Sequence, residues 1–224
     1  MSTFTFKRGQ AESAIWSWTL AGRPGSDSMP ALMKARINKL LELDRRDESL
    51  ASQEAVSRYA FLEHAPGGTG RDLELTAFDT FCLALASDML AFGFKQSEVV
   101  FLFRHIRGTL QGRFDEALVV PASRQPVLHK HYPLKPFDPD NPQFADLSIF
   151  MVQERIETTK MIEQGDSKLM EPSFHGGRAA LAKHFKAFGM SQRRQAYVVE
   201  IAHTAAWISD ALQKSPRISR GRRA

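Results

Sequence analysis

The chain contains a single cysteine, Cys82, in 224 residues, which excludes an intramolecular disulfide. No apolar run approaches the roughly 18 to 20 residues that a membrane-spanning helix requires. The first residues, MSTFTFKRGQAES, lack the apolar core and small-residue cleavage site of a secretory signal peptide. Cys82 itself lies in an apolar helical pattern, so we expect a buried, inert thiol. Together these absences predict a protein of the reducing cytoplasm that does not enter a membrane.

The short motifs that mark common catalytic sites are also missing. The chain has no G-x-S-x-G, no H-E-x-x-H and no glycine-rich loop ending in Lys-Ser or Lys-Thr. The glycine-rich residues 65–71 (APGGTGR) end in arginine and do not match a dinucleotide-binding loop. His129 and His131 have no acidic or cysteine partner at the spacing of metal ligands. We therefore expect no enzymatic activity, no catalytic residues, no cofactor and no bound metal.

Basic residues outnumber acidic residues by 30 to 25, which gives a formal net charge of +5. This excess permits binding to nucleic acid but does not require it. Part of it lies in residues 215–224, where four arginines occur without an acidic residue. Two interpretations of this basic tail stay open: a solvated end of the chain, or an arm that binds phosphate.

The prolines divide the chain, because six of the eleven fall between residues 121 and 142. This density excludes regular helix, so residues 115–145 are predicted to form an extended linker. An N-terminal arm at 1–27, with a short helix ending before Gly22, precedes a helical domain at 28–114. An α+β unit at 146–214 follows the linker, and the basic tail ends the chain.

The helical domain is predicted to begin with two helices. Pro30 suits the first turn of a helix, with Ser28 as its cap, and an apolar stripe then runs to about residue 43. A second helix is predicted over residues 51–63. It has to end there, because Pro66 and three glycines follow within the loop at 65–71.

Two further helices are predicted after this loop. Thr76 caps the first of them, with Asp79 three residues later in an approximate capping box. Gly93 ends that helix, and Ser97 is expected to cap the next one, which contains Ile106.

The C-terminal unit is predicted to combine strands and helices. Residues 147–162 are rich in β-branched and aromatic side chains, which favours a strand, and residues 168–174 return antiparallel to it. Residues 177–188 have a helical pattern, and residues 192–213 are predicted to form one long helix. The broad apolar stripe of that helix is typical of a dimerisation or effector unit.

Several dipeptides in the helical domain occur in a recognisable order. They are Arg58-Tyr59 in the second helix, Gly70-Arg71 in the loop, Gly93-Phe94 after the capped helix, and Glu98-Val99 at the start of the next. Over about residues 50–106 this order resembles the winged helix-turn-helix of MerR-like transcription regulators. The fold class expected from it is mainly α, with a winged helix-turn-helix core and a smaller α+β C-terminal unit.

The resemblance implies a cytoplasmic, DNA-binding transcription regulator that binds double-stranded DNA as a homodimer. An arginine on a helix in the major groove can contact a phosphate or a guanine edge, and a tyrosine hydroxyl can donate to phosphate. A glycine-rich loop lets backbone N–H groups approach the sugar-phosphate chain. The expected DNA-binding residues are Arg45, Arg46, Arg58, Tyr59, His64, Thr69 and Arg71.

An alternative function stays open, in which the same MerR-like fold serves as a non-enzymatic adaptor that binds a protein partner. If the same helices and loop serve only as a core, Arg58 would instead form an intramolecular salt bridge. The charge around the arginines distinguishes the two functions. A shared positive face favours DNA, whereas neutralisation by Asp44, Asp47 and Glu54 favours a protein.

Overall fold

The computed structural model describes residues 4–19, 29–46, 57–63, 73–119, 148–155, 161–164, 167–187 and 195–215. These residues form six helices and seven short strands. In chain order the elements are β1 (Thr5–Lys7), α1 (Arg8–Thr19), α2 (Ala31–Arg46), β2 (Glu74–Thr76), α3 (Ala77–Ala91), α4 (Gln96–Val119), β3 (Ile149–Arg155), β4 (Met161–Gln164), β5 (Ser167–Met170), β6 (Ser173–Gly176), α5 (Gly177–Ala187), β7 (Gln195–Glu200) and α6 (Ile201–Lys214). The expectation of a mainly helical protein is confirmed. None of the helices in these ranges combines the length and the apolar content that crossing a membrane requires.

Helix α3 is the centre of the hydrophobic core, and 11 of its 15 residues are buried. Helices α1, α2, α4 and α6 all contact it. Cys82 lies fully buried on α3, and burial raises the pKa of its thiol, so the thiol stays protonated. Helix α6 and strand β3, which belong to the predicted C-terminal unit, contribute Ile208 and Met151 to the same cluster. The helices of both predicted units therefore share one hydrophobic core within the described residues.

The predicted start of α3 is confirmed in detail. Asp79 N–H donates to Thr76 Oγ1 at 3.0 Å, and Thr76 N–H donates to the Asp79 carboxylate at 3.0 Å, which completes a capping box. Strand β2, which leads into this cap, pairs antiparallel with β1. Because β1 continues directly into α1, this pairing anchors the N-terminal segment against α3.

The turn between α3 and α4 confirms one prediction and corrects another. Gly93 ends α3 with φ +91°, a left-handed conformation that favours glycine, and its N–H donates to Leu90. Helix α4 begins at Gln96, so the prediction that Ser97 caps it was wrong. Instead, the Glu98 side chain reaches back and accepts from the Lys95 N–H at 2.9 Å. Helix α4 also continues to Val119, so the prediction of an extended linker from residue 115 was wrong over residues 115–119; residues 120–145 lie outside the described chain.

The predicted helix at 51–63 was wrong over residues 57–63, which are irregular; residues 51–56 lie outside the described chain. Tertiary contacts use the backbone groups that a helix would need. The Asp44 carboxylate accepts from the N–H groups of Ala60 and Phe61 at 2.9 to 3.0 Å, and Arg107 donates to the Ala60 carbonyl at 2.8 Å. Ser57 N–H donates to a carbonyl of α4 at 3.1 Å. The segment is therefore fixed to α2 and α4 rather than folded on itself.

The strand predicted at 147–162 is confirmed over residues 149–155 and 161–162, and residues 156–160 lie outside the described chain; the antiparallel return is also confirmed. A three-stranded antiparallel sheet has the order β6-β3-β7, and β4 pairs with β5 in a separate hairpin. Helix α5 confirms the helix expected after Gly177. The helix predicted from residue 192 was wrong at its start, because residues 195–200 form β7 and pair with β3. Glu200 then caps α6, accepting from the N–H groups of Ala202 and His203.

Two arginines on successive turns of α4 connect the helices through buried ion pairs. Arg104 Nε lies 3.0 Å from the Asp44 carboxylate of α2, and both side chains are fully buried. Arg107 lies 2.6 Å from the Asp79 carboxylate of α3, and its guanidinium stacks over the Phe78 ring at 4.9 Å. These two pairs connect α2, α3, α4 and the segment 57–63. Removing one partner of such a pair leaves an uncompensated buried charge, so each pair is needed for these contacts to stay stable.

We expect Arg104→Ala to lower the free energy of unfolding by about 3 to 5 kcal/mol, because Asp44 would stay buried without its cation. Arg113→Ala is the matched control, since it breaks an exposed pair with Glu116 on the same helix and should cost at most about 1 kcal/mol. Urea unfolding of both variants measures the difference. Equal losses would show that the buried pair does not connect the helices.

Trp18, His203 and Trp207 form an aromatic cluster where α1 meets α6, with Trp18 and His203 ring centroids 5.4 Å apart. Burial lowers the pKa of His203 below its ordinary value of 6.5. Below pH 6.5 the unfolded chain therefore takes up a proton that the folded chain does not.

The free energy of unfolding should consequently fall as pH drops below about 6.5, until the folded-state pKa of His203 is reached. We expect His203→Gln to reduce this loss in urea titrations at pH 7.5 and pH 5.5. His105→Gln, on α4, controls for removal of an imidazole elsewhere. An unchanged pH profile in His203→Gln would contradict the assignment.

Candidate nucleic-acid interface

Helix α2 buries one side and exposes the rest. Ile37, Leu40, Leu41 and Asp44 recur at helical spacing and are buried against the core. This side contacts α3 and α4. The opposite side consequently faces away from the protein body along the full sixteen residues of the helix.

The outer face of α2 includes Lys34, Ala35, Asn38 and Arg45, which are all exposed. Lys34, Asn38 and Arg45 lie at spacings of four and seven residues, so they follow one line along the helix. Glu42 lies beside this line, four residues after Asn38 and three before Arg45. The outer face is therefore slim at Ala35 and basic near both ends, with one carboxylate between Asn38 and Arg45, and its cationic ends suit a helix that enters a DNA groove.

The two acidic residues of α2 neutralise this outer face only in part. Asp44 is turned into the core and paired with Arg104, so it does not neutralise the exposed arginines. Glu42 lies on the outer face between Asn38 and Arg45, and its carboxylate lies 3.2 Å from Lys39. Lys34 and Arg45 have no carboxylate partner within the part of the chain that the structure describes. Asp47 and Glu54, the other two acids considered from the sequence, lie outside that part.

The structure locates four of the seven residues expected from the sequence. Arg45 is exposed on α2, and Arg46 is the last residue of that helix. Arg58 is exposed in the irregular segment 57–63, whereas Tyr59 is partly buried and packs against the core. His64, Thr69 and Arg71, together with the glycine-rich loop, lie outside the described residues.

The buried contact of Asp44 with Ala60 brings two of these arginines into the same region. Arg45 follows Asp44 in the chain, and Arg58 precedes Ala60 by two residues. The Arg58 guanidinium lies over the ring of Tyr59, 5.4 Å from its centroid. Within the described residues Arg58 forms this cation–π contact and no ion pair, so the intramolecular salt bridge expected of a purely structural core is not seen there.

Sequence reasoning missed the outer-face residues Lys34 and Asn38. It treated α2 only as an amphipathic helix and placed Arg58 and Tyr59 on the following helix, which residues 57–63 do not form. The missed signal was the recurrence of Lys34, Asn38 and Arg45 on the exposed surface beside the apolar stripe. The role of Asp44 required knowledge of Arg104, which lies sixty residues further along the chain.

A second group of polar side chains lies between the three-stranded sheet and α5. His184 Nε2 is 2.7 Å from the buried carboxylate of Glu154, and Ser173 Oγ is 2.8 Å from His175 Nε2. Glu154 itself is buried, at 7% exposure. Burial and the neighbouring His184 lower the pKa of His175, while Glu154 opposes them.

These contacts join α5 to β3 and β6, which gives the group a structural role. The two imidazole rings of His175 and His184 lie 4.2 Å apart between their centroids. Among the described residues, no three histidine, cysteine or acidic side chains gather in a way that would hold a metal ion.

Comparison with protein-family models gave no match, and comparisons with curated proteins and with solved structures gave none either. The resemblance to MerR-like regulators stays a prediction from the sequence.

Proposed function

We propose that this chain is a DNA-binding transcription regulator in which α2 enters the major groove of duplex DNA. One observation carries the proposal. The outer face of α2 exposes Lys34, Asn38 and Arg45, while Asp44 of the same helix is withdrawn into the core by Arg104. An exposed cationic helix of sixteen residues offers charge to the phosphates and a slim polar surface to the bases.

The residue types on this face suit the major groove, which is about 12 Å wide and admits one helix. Asn38 has the amide geometry that pairs with the N6 and N7 edge of adenine. Arg45 can form bidentate hydrogen bonds with guanine or contact a phosphate, and Lys34 can contact a phosphate as a point charge. Ala35 beside Asn38 leaves room for close approach to the bases.

The order of the segments also supports the proposal. Helix α2 is followed by the anchored segment 57–63, then by the glycine-rich residues of the predicted wing, and then by β2. A recognition helix followed by a wing has this order. We therefore assign the recognition role to α2, with Arg58 contacting the backbone beside it, rather than to a helix at 51–63.

The proposed regulator acts as a homodimer, since two-fold symmetric regulators reach two half-sites on the duplex. The apolar stripe of α6 is used within the chain itself. Ile201, Ala205, Ile208 and Leu212 of that helix are buried, and α6 packs against α1, α3 and α4. A dimer interface would therefore have to use another surface.

The double variant Lys34→Ala/Arg45→Ala should weaken binding to a mixed-sequence duplex by roughly 50-fold at about 0.1 M salt. Its slope of log affinity against log salt should fall by about 2, because each lost phosphate contact removes about 0.9 from it. Fluorescence anisotropy over a salt series measures both quantities.

The matched control is Lys183→Ala/Lys186→Ala, which removes two exposed lysines from α5 and changes the net charge equally. If both double variants lose affinity alike, binding follows net charge and α2 is not the recognition helix. If the natural chain binds no duplex at low salt, the DNA proposal fails and the adaptor function replaces it.

Arg58→Ala should weaken duplex binding by about tenfold, the loss expected for one phosphate contact. Arg58→Lys should retain most of the affinity, because lysine keeps the charge. Both variants should unfold at the same urea concentration as the natural chain, since Arg58 is exposed. Loss of stability with unchanged affinity would instead identify Arg58 as a structural partner of Tyr59.

A further inference from the structure

Asp88, on α3, is a partly buried carboxylate that has no cationic partner within the described ranges of the chain. Its side-chain hydrogen-bond donor there is Trp18 Nε1, at 3.5 Å, which is longer than most such bonds. An ionised carboxylate can accept about four hydrogen bonds, so most of this capacity is unused by the described residues. Burial raises the pKa of Asp88, and the contact with Trp18 opposes the rise. The negative charge is therefore less well stabilised here than in water.

Aromatic side chains from three elements gather around this carboxylate. Trp18 reaches it from the end of α1. Phe92 follows Asp88 by four residues, at the end of α3, so both lie on the same side of that helix. The Phe92 ring centroid lies 4.8 Å from that of Tyr197, on β7. Burial, and after it the charge of Asp88, raises the pKa of Tyr197, so its hydroxyl lies within reach of that charge and stays protonated.

This group of side chains is open to solvent at Phe92. Its side chain is 72% exposed, while Tyr197 is buried against it. Asp88 and Trp18 are both partly buried, so neither is closed off from the surface. Phe92 consequently adds little to the hydrophobic core, and one of its faces is accessible to a ligand.

The chain itself does not supply a positive charge from the adjoining aromatic cluster. The ring of His203 lies 5.4 Å from that of Trp18. Burial lowers the pKa of His203 below 6.5, so this imidazole is neutral at pH 7 and above. A cation that pairs with Asp88 would therefore come from a ligand.

An organic ammonium ion has the chemistry that this group of side chains can bind. Its N–H groups can donate to the Asp88 carboxylate and to the Tyr197 hydroxyl oxygen. Its positive charge is attracted to the faces of aromatic rings, tryptophan most strongly. The aliphatic chain that carries the ammonium can lie along the exposed ring of Phe92. A metal ion fits less well, because no cluster of three acidic, histidine or cysteine side chains occurs among the described residues.

We propose that Asp88 and the aromatic side chains around it form a binding site for an alkylammonium group. A lysine side chain of another protein and a free amine both present this chemistry. The exposure of Phe92 favours the lysine, because a free amine buries little surface at an open site, whereas a protein adds contacts around it. None of these residues belongs to α2 or to the segment 57–63, so this site is independent of the proposed DNA contact.

The test follows the indole N–H signal of Trp18 by NMR at pH 7.5 while Nα-acetyl-lysine methylamide is added to the full chain. Nα-acetyl-norleucine methylamide, which lacks the ammonium group, is the matched ligand control, and n-butylammonium represents a free amine. Asp88→Asn removes the charge and keeps an oxygen that can accept from Trp18. Asp115→Asn, at an exposed position of α4, removes the same charge elsewhere. Phe92→Leu removes the exposed ring without a change in the core.

We expect the lysine amide to shift the Trp18 signal saturably at roughly millimolar concentration, and the norleucine amide to leave it unshifted. Asp88→Asn should weaken binding by at least about tenfold and Phe92→Leu by about two- to fivefold, while Asp115→Asn should bind as the natural chain does.

The two sources are distinguished by relative affinity. Tighter binding of the lysine amide than of n-butylammonium would identify a lysine side chain as the ligand, and the reverse order would identify a free amine. Either order supports the alkylammonium site. The site would be overturned by equal shifts with the norleucine amide, by unchanged affinity in Asp88→Asn, or by the absence of a saturable shift in the natural chain.

Discussion

The buried ion pair between Asp44 and Arg104 is the interaction on which the rest of the helical core depends. Removing two charges from water is costly, and the cost is offset only when the remaining hydrogen-bonding capacity is also satisfied. Here the Asp44 carboxylate accepts from Arg104 and from the N–H groups of Ala60 and Phe61. One carboxylate thus fixes the end of α2, the position of residues 60 and 61, and the position of α2 on α4.

The same pair determines the charge of the proposed DNA-binding surface. Because Asp44 is paired inside the protein, the outer face of α2 keeps the positive charge of Lys34 and Arg45. The second pair, between Arg107 and Asp79, holds α4 to the start of α3, where Asp79 also completes the capping box. Core stability and the charge of α2 are therefore linked through Asp44 and Arg104.

Local signals were sufficient for part of the fold. The Thr76 cap, the Gly93 break and the strand before α5 depend on neighbouring residues, and all three are confirmed. The predictions at 57–63 and 195–200 failed because partners distant in sequence decide both. Asp44 captures the backbone of the first segment, and β3 pairs with the second. The candidate site shows the same division: the exposed arginines were visible in the sequence, but the burial of Asp44 depended on Arg104.

The central claim, that the outer face of α2 contacts duplex DNA, can be tested by site-specific crosslinking. A photoreactive group is attached to Asn38→Cys, and the buried native Cys82 is protected from modification. The same group on Glu116→Cys, exposed far along α4, provides the control. Our account predicts crosslinks from position 38 to a mixed-sequence duplex that decrease as salt increases, with few from position 116. Equal crosslinking at both positions, or none at position 38, would contradict it.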